Sequence, residues 1–255
     1  MISGYPIWVV LLIGVGVFCA SFVDAIGGGG GIISLPVYLL AGLPTHYALG
    51  TNKMSACLGT VASMYRYIKN KCVDWGLAIP SIIVALLGAH WGTSLQIVVD
   101  EQYLKYVLLI VLPVVAAVLL KQKSFPEDRG LISPWKQRAI VWGASLVIGL
   151  YDGFYGPGTG TFLLLVFCHL GKMDLRTASG NVKIVNVASG TGALITSAMA
   201  GKVIAPIGLI ATVFSIAGHY IGAGLTLKNG AKAVRPVIFV VLALLAVKIV
   251  LELFI

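Results

Sequence analysis

The sequence predicts an all-α polytopic membrane protein of about eight spans, built as two inverted pseudo-repeats that each start with a helix hairpin broken at a Gly-rich motif. Three observations predict it. Of 255 residues, 58% are hydrophobic and 11% charged, and mean hydropathy is +0.98, which leaves too little polar surface to cover a soluble globule. One pattern occurs twice, about 128 residues apart: Phe22-Val23-Asp24-Ala25-Ile26 running into Gly27 to Gly31, and Leu150-Tyr151-Asp152-Gly153-Phe154 running into Tyr155-Gly156-Pro157-Gly158-Thr159-Gly160. The net charge of +9 gathers at three turns, which reads as a positive-inside bias and not as a nucleic-acid surface.

Taken in order, the apolar stretch 5–23 is the first span. Met1 to Phe18 carries no Lys or Arg, so it lacks the basic region of a signal peptide and is expected to be retained. The glycines after Asp24 then stop the helix, since each costs about 1 kcal/mol relative to alanine in a helix interior. A short apolar piece, 32–41, and the span 47–65 follow, ending at Arg66, Lys69 and Lys71. The spans 76–99 and 103–120 flank the cation-poor turn at Asp100-Glu101, and Lys121, Lys123, Arg129, Lys136 and Arg138 mark the central loop.

The second half repeats the plan. A span over 139–151 meets the second break, where Pro157 has no N–H to donate. The piece 160–170 and the spans 178–200, 203–227 and 234–251 follow, with Lys228, Lys232 and Arg235 at the third basic turn. With the basic turns cytoplasmic, the long spans 47–65 and 178–200 enter from opposite faces, and both termini come out extracytoplasmic. The chain is expected to be one transmembrane domain: pseudo-repeat one over 1–121, a cytoplasmic loop over 122–138, and pseudo-repeat two over 139–255.

Backbone without helical partners at membrane depth is tolerated only when buried in protein or lining a watery cavity, so the breaks point at a binding site. The candidate substrate residues are Gly28, Gly29, Gly30, Gly31, Asn52, Lys53, Gly156, Gly158, Thr159, Asn181, Lys183 and Asn186. Asn52 and Asn181 align with a one-residue gap, which leaves Lys53 and Lys183 about 100° apart around their helices and their roles unequal. A lysine in a spanning helix faces a cavity, a pathway or a partner, so each either attracts an anion or pairs with an aspartate. Asp24 and Asp152 either cap half-helix N-termini and pair with those lysines, or carry a coupling proton. Sodium held by broken-backbone carbonyls is the rival coupling ion.

Other chemistries lack their patterns. Cys19, Cys57, Cys72 and Cys168 have no metal or redox spacing, and His46, His90, His169 and His219 fall singly, as packing or interfacial residues. No Gly-Lys-Ser/Thr follows the glycine run, so neither a nucleotide nor another cofactor is expected, and no metal. Hydrolysis by the two aspartates is the enzyme alternative, unsupported by any further hydrolytic motif. An anion-selective channel is the other alternative, separable by unsaturating current.

The stretch Asp24 to Gly31 with Pro36, the run Ala48-Leu49-Gly50-Thr51-Asn52-Lys53, and the run Phe154 to Gly160 followed by Ala178-Ser179-Gly180-Asn181-Val182-Lys183 resemble the TauE/SafE family, also called the 4-toluene sulfonate uptake permease family. The resemblance covers essentially the whole chain. It implies a multi-pass inner-membrane carrier of about eight spans, whose relatives are linked to sulfite, sulfonates and related organic anions. The expected function is therefore secondary transport of a small sulfur-containing or carboxylate anion by alternating access, with lipid and a coupling proton or sodium as partners. Substrate, direction and oligomeric state, a homodimer included, are left open.

Overall fold

A computed structural model describes residues 1–100, 102–104 and 132–229. The chain forms α1 (Ile7–Gly27), α2 (Gly31–Leu40), α3 (Thr45–Lys69), α4 (Trp75–Val98), α5 (Pro134–Phe154), α6 (Thr159–Leu165) continued by a π-helical turn (Val166–Leu170), α7 (Leu175–Met199) and α8 (Ala205–Asn229). No β-strand occurs among the described residues. The expected span 103–120 past Leu104, the loop up to residue 131, and the span 234–251 with Lys232 and Arg235 lie outside the described residues.

The helix boundaries follow local chemistry. Asp74 caps α4 by accepting from the Gly76 and Leu77 amides, and Asp174 caps α7 through the Thr177 amide. Pro134 opens α5 where a missing N–H costs nothing, which carries that helix five residues beyond the apolar stretch 139–151. Both expected breaks are present, between α1 and α2 and between α5 and α6.

α1, α4 and α8 are each long and apolar enough to cross a membrane. They turn apolar side chains outward at helical spacing: Trp8, Leu11, Leu12 and Val15 on α1, Ile79, Ile83, Leu87 and Trp91 on α4, Leu209, Val213 and Ile216 on α8. α3 and α7 are as long but bury polar residues, among them Thr51, Asn52, Lys53 and Ser55 on one and Asn181, Lys183 and Ser189 on the other. The described helices thus turn apolar side chains outward and keep their polar and charged residues buried beside an apolar core, as a hydrocarbon solvent requires.

The packing sets up a pairwise exchange. α1 runs parallel to α8, with Gly14 against Phe214 and Gly218 against Phe18 and Phe22. α5 runs parallel to α4 in the same manner, with Gly149 against Ala85 and Gly153 against Ala89. α3 lies parallel to α8, Gly208 meeting Met54 and Gly59 meeting Ser215; α7 lies parallel to α4, Gly192 meeting Leu86. Between the halves α3 and α7 cross antiparallel, with Gly50 beside Ser197, Gly190 beside Cys57 and Gly180 beside Cys72. Small residues at these crossings let the backbones approach closely, as membrane helices require in the absence of a hydrophobic drive. Exchanging α1–α4 with α5–α8 returns the same helix pairs.

Candidate functional site

The two breaks meet each other. Gly28 and Gly29 adopt φ of +78° and +86°, and Gly156 and Gly158 adopt +99° and +86°, the left-handed region that glycine enters without steric cost. At the crossing, a methyl group on Gly28 would lie 2.6 Å from the Gly160 carbonyl carbon, and one on Gly31 would lie 3.2 Å from Pro157 Cα. Thr161 Oγ1 donates to the Gly27 carbonyl at 2.9 Å, satisfying one acceptor that the end of α1 leaves over. Gly30, by contrast, has φ −55° and ψ −31°, already helical.

The breaks open onto a cavity of about 640 Å³, counted with its open mouth. Glycines 29–31, 156, 158 and 160 form part of its wall, with Asp24, Asn52, Lys53, Asp152, Thr159 and Asn186. The N-terminal ends of α2 and α6 thus end at the same space.

Two reciprocal ion pairs tie the halves together across it. Lys53 of α3 donates to Asp152 Oδ1 at 2.8 Å and also to the Asp152 carbonyl oxygen. Lys183 of α7 donates to Asp24 Oδ2 at 3.0 Å and to the Asp24 carbonyl at 2.6 Å. Each lysine binds a carboxylate and the main-chain carbonyl of the same aspartate; the Asp152 carbonyl is left over by the break, while the Asp24 carbonyl also accepts from the Gly28 amide. The remaining carboxylate positions are filled as well: the Gly30 amide donates to Asp24 Oδ1, Thr159 Oγ1 to Asp152 Oδ1 at 3.0 Å, and Ser189 Oγ to Asp152 Oδ2 at 2.7 Å. Each aspartate has its own lysine, unlike the shared-proton dyad of an aspartyl hydrolase.

This geometry sets a different register from the one that aligned Asn52 with Asn181. Lys53 and Lys183 make matching contacts, so they are equivalent at an offset of 130 residues, and Asn52 then corresponds to Val182. Asn181 lies off the cavity wall, its amide donating to the Thr177 carbonyl one turn back at 2.8 Å. Gly28 serves the crossing and Lys183 stands behind Asp24, both away from the wall. Asn52 and Asn186 do line it, and the amide oxygen of each is buried without a hydrogen-bond partner. Sequence reasoning missed Ser21, Ser34, Thr60 and His219 on the wall. Ser55 and Gly190, also on the wall, follow Asn52 and Asn186 by three and four residues, a helical spacing visible in the sequence; a lone histidine on an apolar helix gives no such signal.

These features define a class: an α-helical membrane protein with a buried, ion-paired cavity where two glycine-broken helix pairs cross. The family described as Sulfite exporter TauE/SafE matches residues 12–249, and the chain belongs to that family. The probable membrane transporter protein YfcA of Escherichia coli K12 is 32% identical over 246 residues, which cover 95% of this chain and 91% of that protein. A probable membrane transporter protein of Haemophilus influenzae is 31% identical over 240 residues, covering 92% of each chain. The probable membrane transporter protein YdhB of Bacillus subtilis is 23% identical over 212 residues. No solved structure matches the chain.

Proposed function

We propose that this protein is a secondary transporter that moves a small oxyanion, of the sulfite, sulfonate or carboxylate kind, across the inner membrane by alternating access. The carrying observation is the reciprocal ion pairing, Lys53 with Asp152 and Lys183 with Asp24, around a cavity at the meeting of the two breaks. Its physical logic is an exchange. A lysine held by an aspartate is neutralised at rest, and an entering anion competes for it, so buried positive charge is available without being left unpaired. The Asn52 and Asn186 amides and the helix ends at Gly29–Gly31 and Gly158–Gly160 add donors suited to an oxyanion.

The pairwise exchange of helix contacts and the antiparallel crossing of α3 and α7 support two inverted repeats, the usual plan of carriers with midplane sites. Relatives named as membrane transporters, and a family named for sulfite export, support the transport class and the anion. The sequence carries no ATPase motif, so the reading draws its drive from an ion gradient, proton or sodium, or from the substrate's own gradient.

The experiment is a thermal-shift screen of the purified protein against sulfite, sulfate, thiosulfate, isethionate and simple carboxylates, since ligands of the native state raise apparent stability by mass action. A stabilising anion should saturate in proteoliposome uptake and show counterflow. Current that grows without saturation would instead identify a channel.

A further inference from the structure

The two halves differ in what stands beside each aspartate. In the second half Ser189 donates to Asp152, and Ala89 of α4 packs against Gly153, one residue past that aspartate. In the first half the counterpart of Ser189 is Gly59, and the counterpart of Ala89 is His219 on α8. The missing side chain makes room for the ring: a methyl group on Gly59 would lie 2.9 Å from His219 Cδ2. His219 is 1% exposed, lines the cavity, and holds its Nε2 4.0 Å from Asp24 Oδ2, the oxygen that Lys183 also binds. Its ring nitrogens contact the Thr60 hydroxyl at 3.3 Å and the Ser63 hydroxyl at 3.4 Å, and these hydroxyls also donate to the Ala56 and Thr60 carbonyls, so each can accept from the ring or turn to donate to it.

Charge balance gives this ring a task. Lys53, Lys183, Asp24 and Asp152 sum to zero, so an anion entering the cavity leaves one net negative charge in a medium that penalises it heavily. Apart from those paired groups, the titratable groups on the wall are Cys57 and His219. A thiol titrates only to an anion. An imidazole can gain a proton.

We propose that His219 takes up the coupling proton as an anion enters: Lys183 turns from Asp24 to the anion, and the protonated His219 replaces it at Asp24. The site's total charge is then unchanged, and anion and proton favour each other's binding by the same factor. The charged groups facing His219 are Asp24 from α1 and Lys183 from α7, while α3 presents the Thr60 and Ser63 hydroxyls. Asp152, held by Lys53, Thr159 and Ser189, has no such ring and keeps its pair. The inference rests on the transport reading, and its test is separable from it.

The full chain, ring-15N-labelled at histidine and held in lipid nanodiscs, is followed by NMR, with the His219 signal assigned by its loss in His219→Gln. In the parent at pH 7 without anion the ring should be neutral. Lys183→Gln removes the competitor, and the doubly protonated fraction of His219 should rise at least tenfold; adding Asp24→Asn to that variant should cancel the rise. Saturating isethionate, whose sulfonate binds no proton in this range, should produce the same rise in the parent. A ring that stays neutral in folded Lys183→Gln, or a rise that survives Asp24→Asn, overturns the proposal. Should Lys183→Gln fail to fold, the isethionate-bound parent decides, a neutral ring again being fatal. If no anion of the panel binds, the transport reading fails, and the Lys183→Gln spectra still decide whether His219 and Lys183 compete for Asp24.

Discussion

Lys53 and Asp152 are 8% exposed each and bonded at 2.8 Å, so removing one partner strands a buried charge. Lys53→Gln should lower unfolding stability by about 3–5 kcal/mol, the usual cost of breaking a buried pair from one side. Lys53→Gln with Asp152→Asn should recover most of that loss, because no ion is then left alone, yet should not recover anion binding. Thermal unfolding in detergent and the anion screen read the two effects separately. A double variant that binds sulfite as the parent does would remove Lys53 from the site. The charged residues were legible in the sequence because lysine and aspartate are rare in apolar spans. That they could pair was legible too, but which lysine meets which aspartate was not, since pairing across halves depends on how α3 and α7 cross, which no local spacing records.

The breaks between α1 and α2 and between α5 and α6 were legible because glycine runs and Pro157 forbid helix by backbone chemistry alone. Which glycines are bent and which merely close to a neighbour was not legible, because that is set by the opposite half. Gly28 and Gly42 contrast the two. Both have positive φ, +78° and +85°, so alanine is strained at each, and more so at Gly28, whose ψ of 179° lies in the extended region that glycine alone adopts. A methyl group at Gly42 meets nothing within 4 Å, whereas one at Gly28 runs into the Gly160–Thr161 backbone. Gly42→Ala should therefore cost about 1 kcal/mol, the lower end of the strain range. Gly28→Ala should cost clearly more and abolish anion uptake, as read by melting temperature and proteoliposome flux on matched yields. Equal effects would mean that the crossing of the breaks contributes nothing beyond strain.

At the scale of the whole molecule, sidedness comes first. In a background free of native cysteine, Lys71→Cys at the α3–α4 turn should resist an impermeant thiol reagent in intact cells, while Gly201→Cys at the α7–α8 turn should be labelled; the reverse pattern would invert the topology. Alternating access further requires the halves to move against each other, and the natural place for that motion is the antiparallel crossing of α3 and α7. There Cys57 of one half faces Gly190 of the other, and a Cβ built on Gly190 lies 3.0 Å from Cys57 Cβ. Disulfides hold their Cβ atoms about 3.5–4.5 Å apart, so a small outward shift admits the bond. Gly190→Cys, with Cys57 retained as its partner, should cross-link under mild oxidant, seen as a shift from two fragments to one on a gel when a protease site is inserted within residues 122–133, ahead of α5. The cross-linked protein should lose sulfite counterflow, and a reductant should restore it. Counterflow that persists with the bond fully formed would show that α3 and α7 stay fixed during transport, and would move the hinge to the broken hairpins.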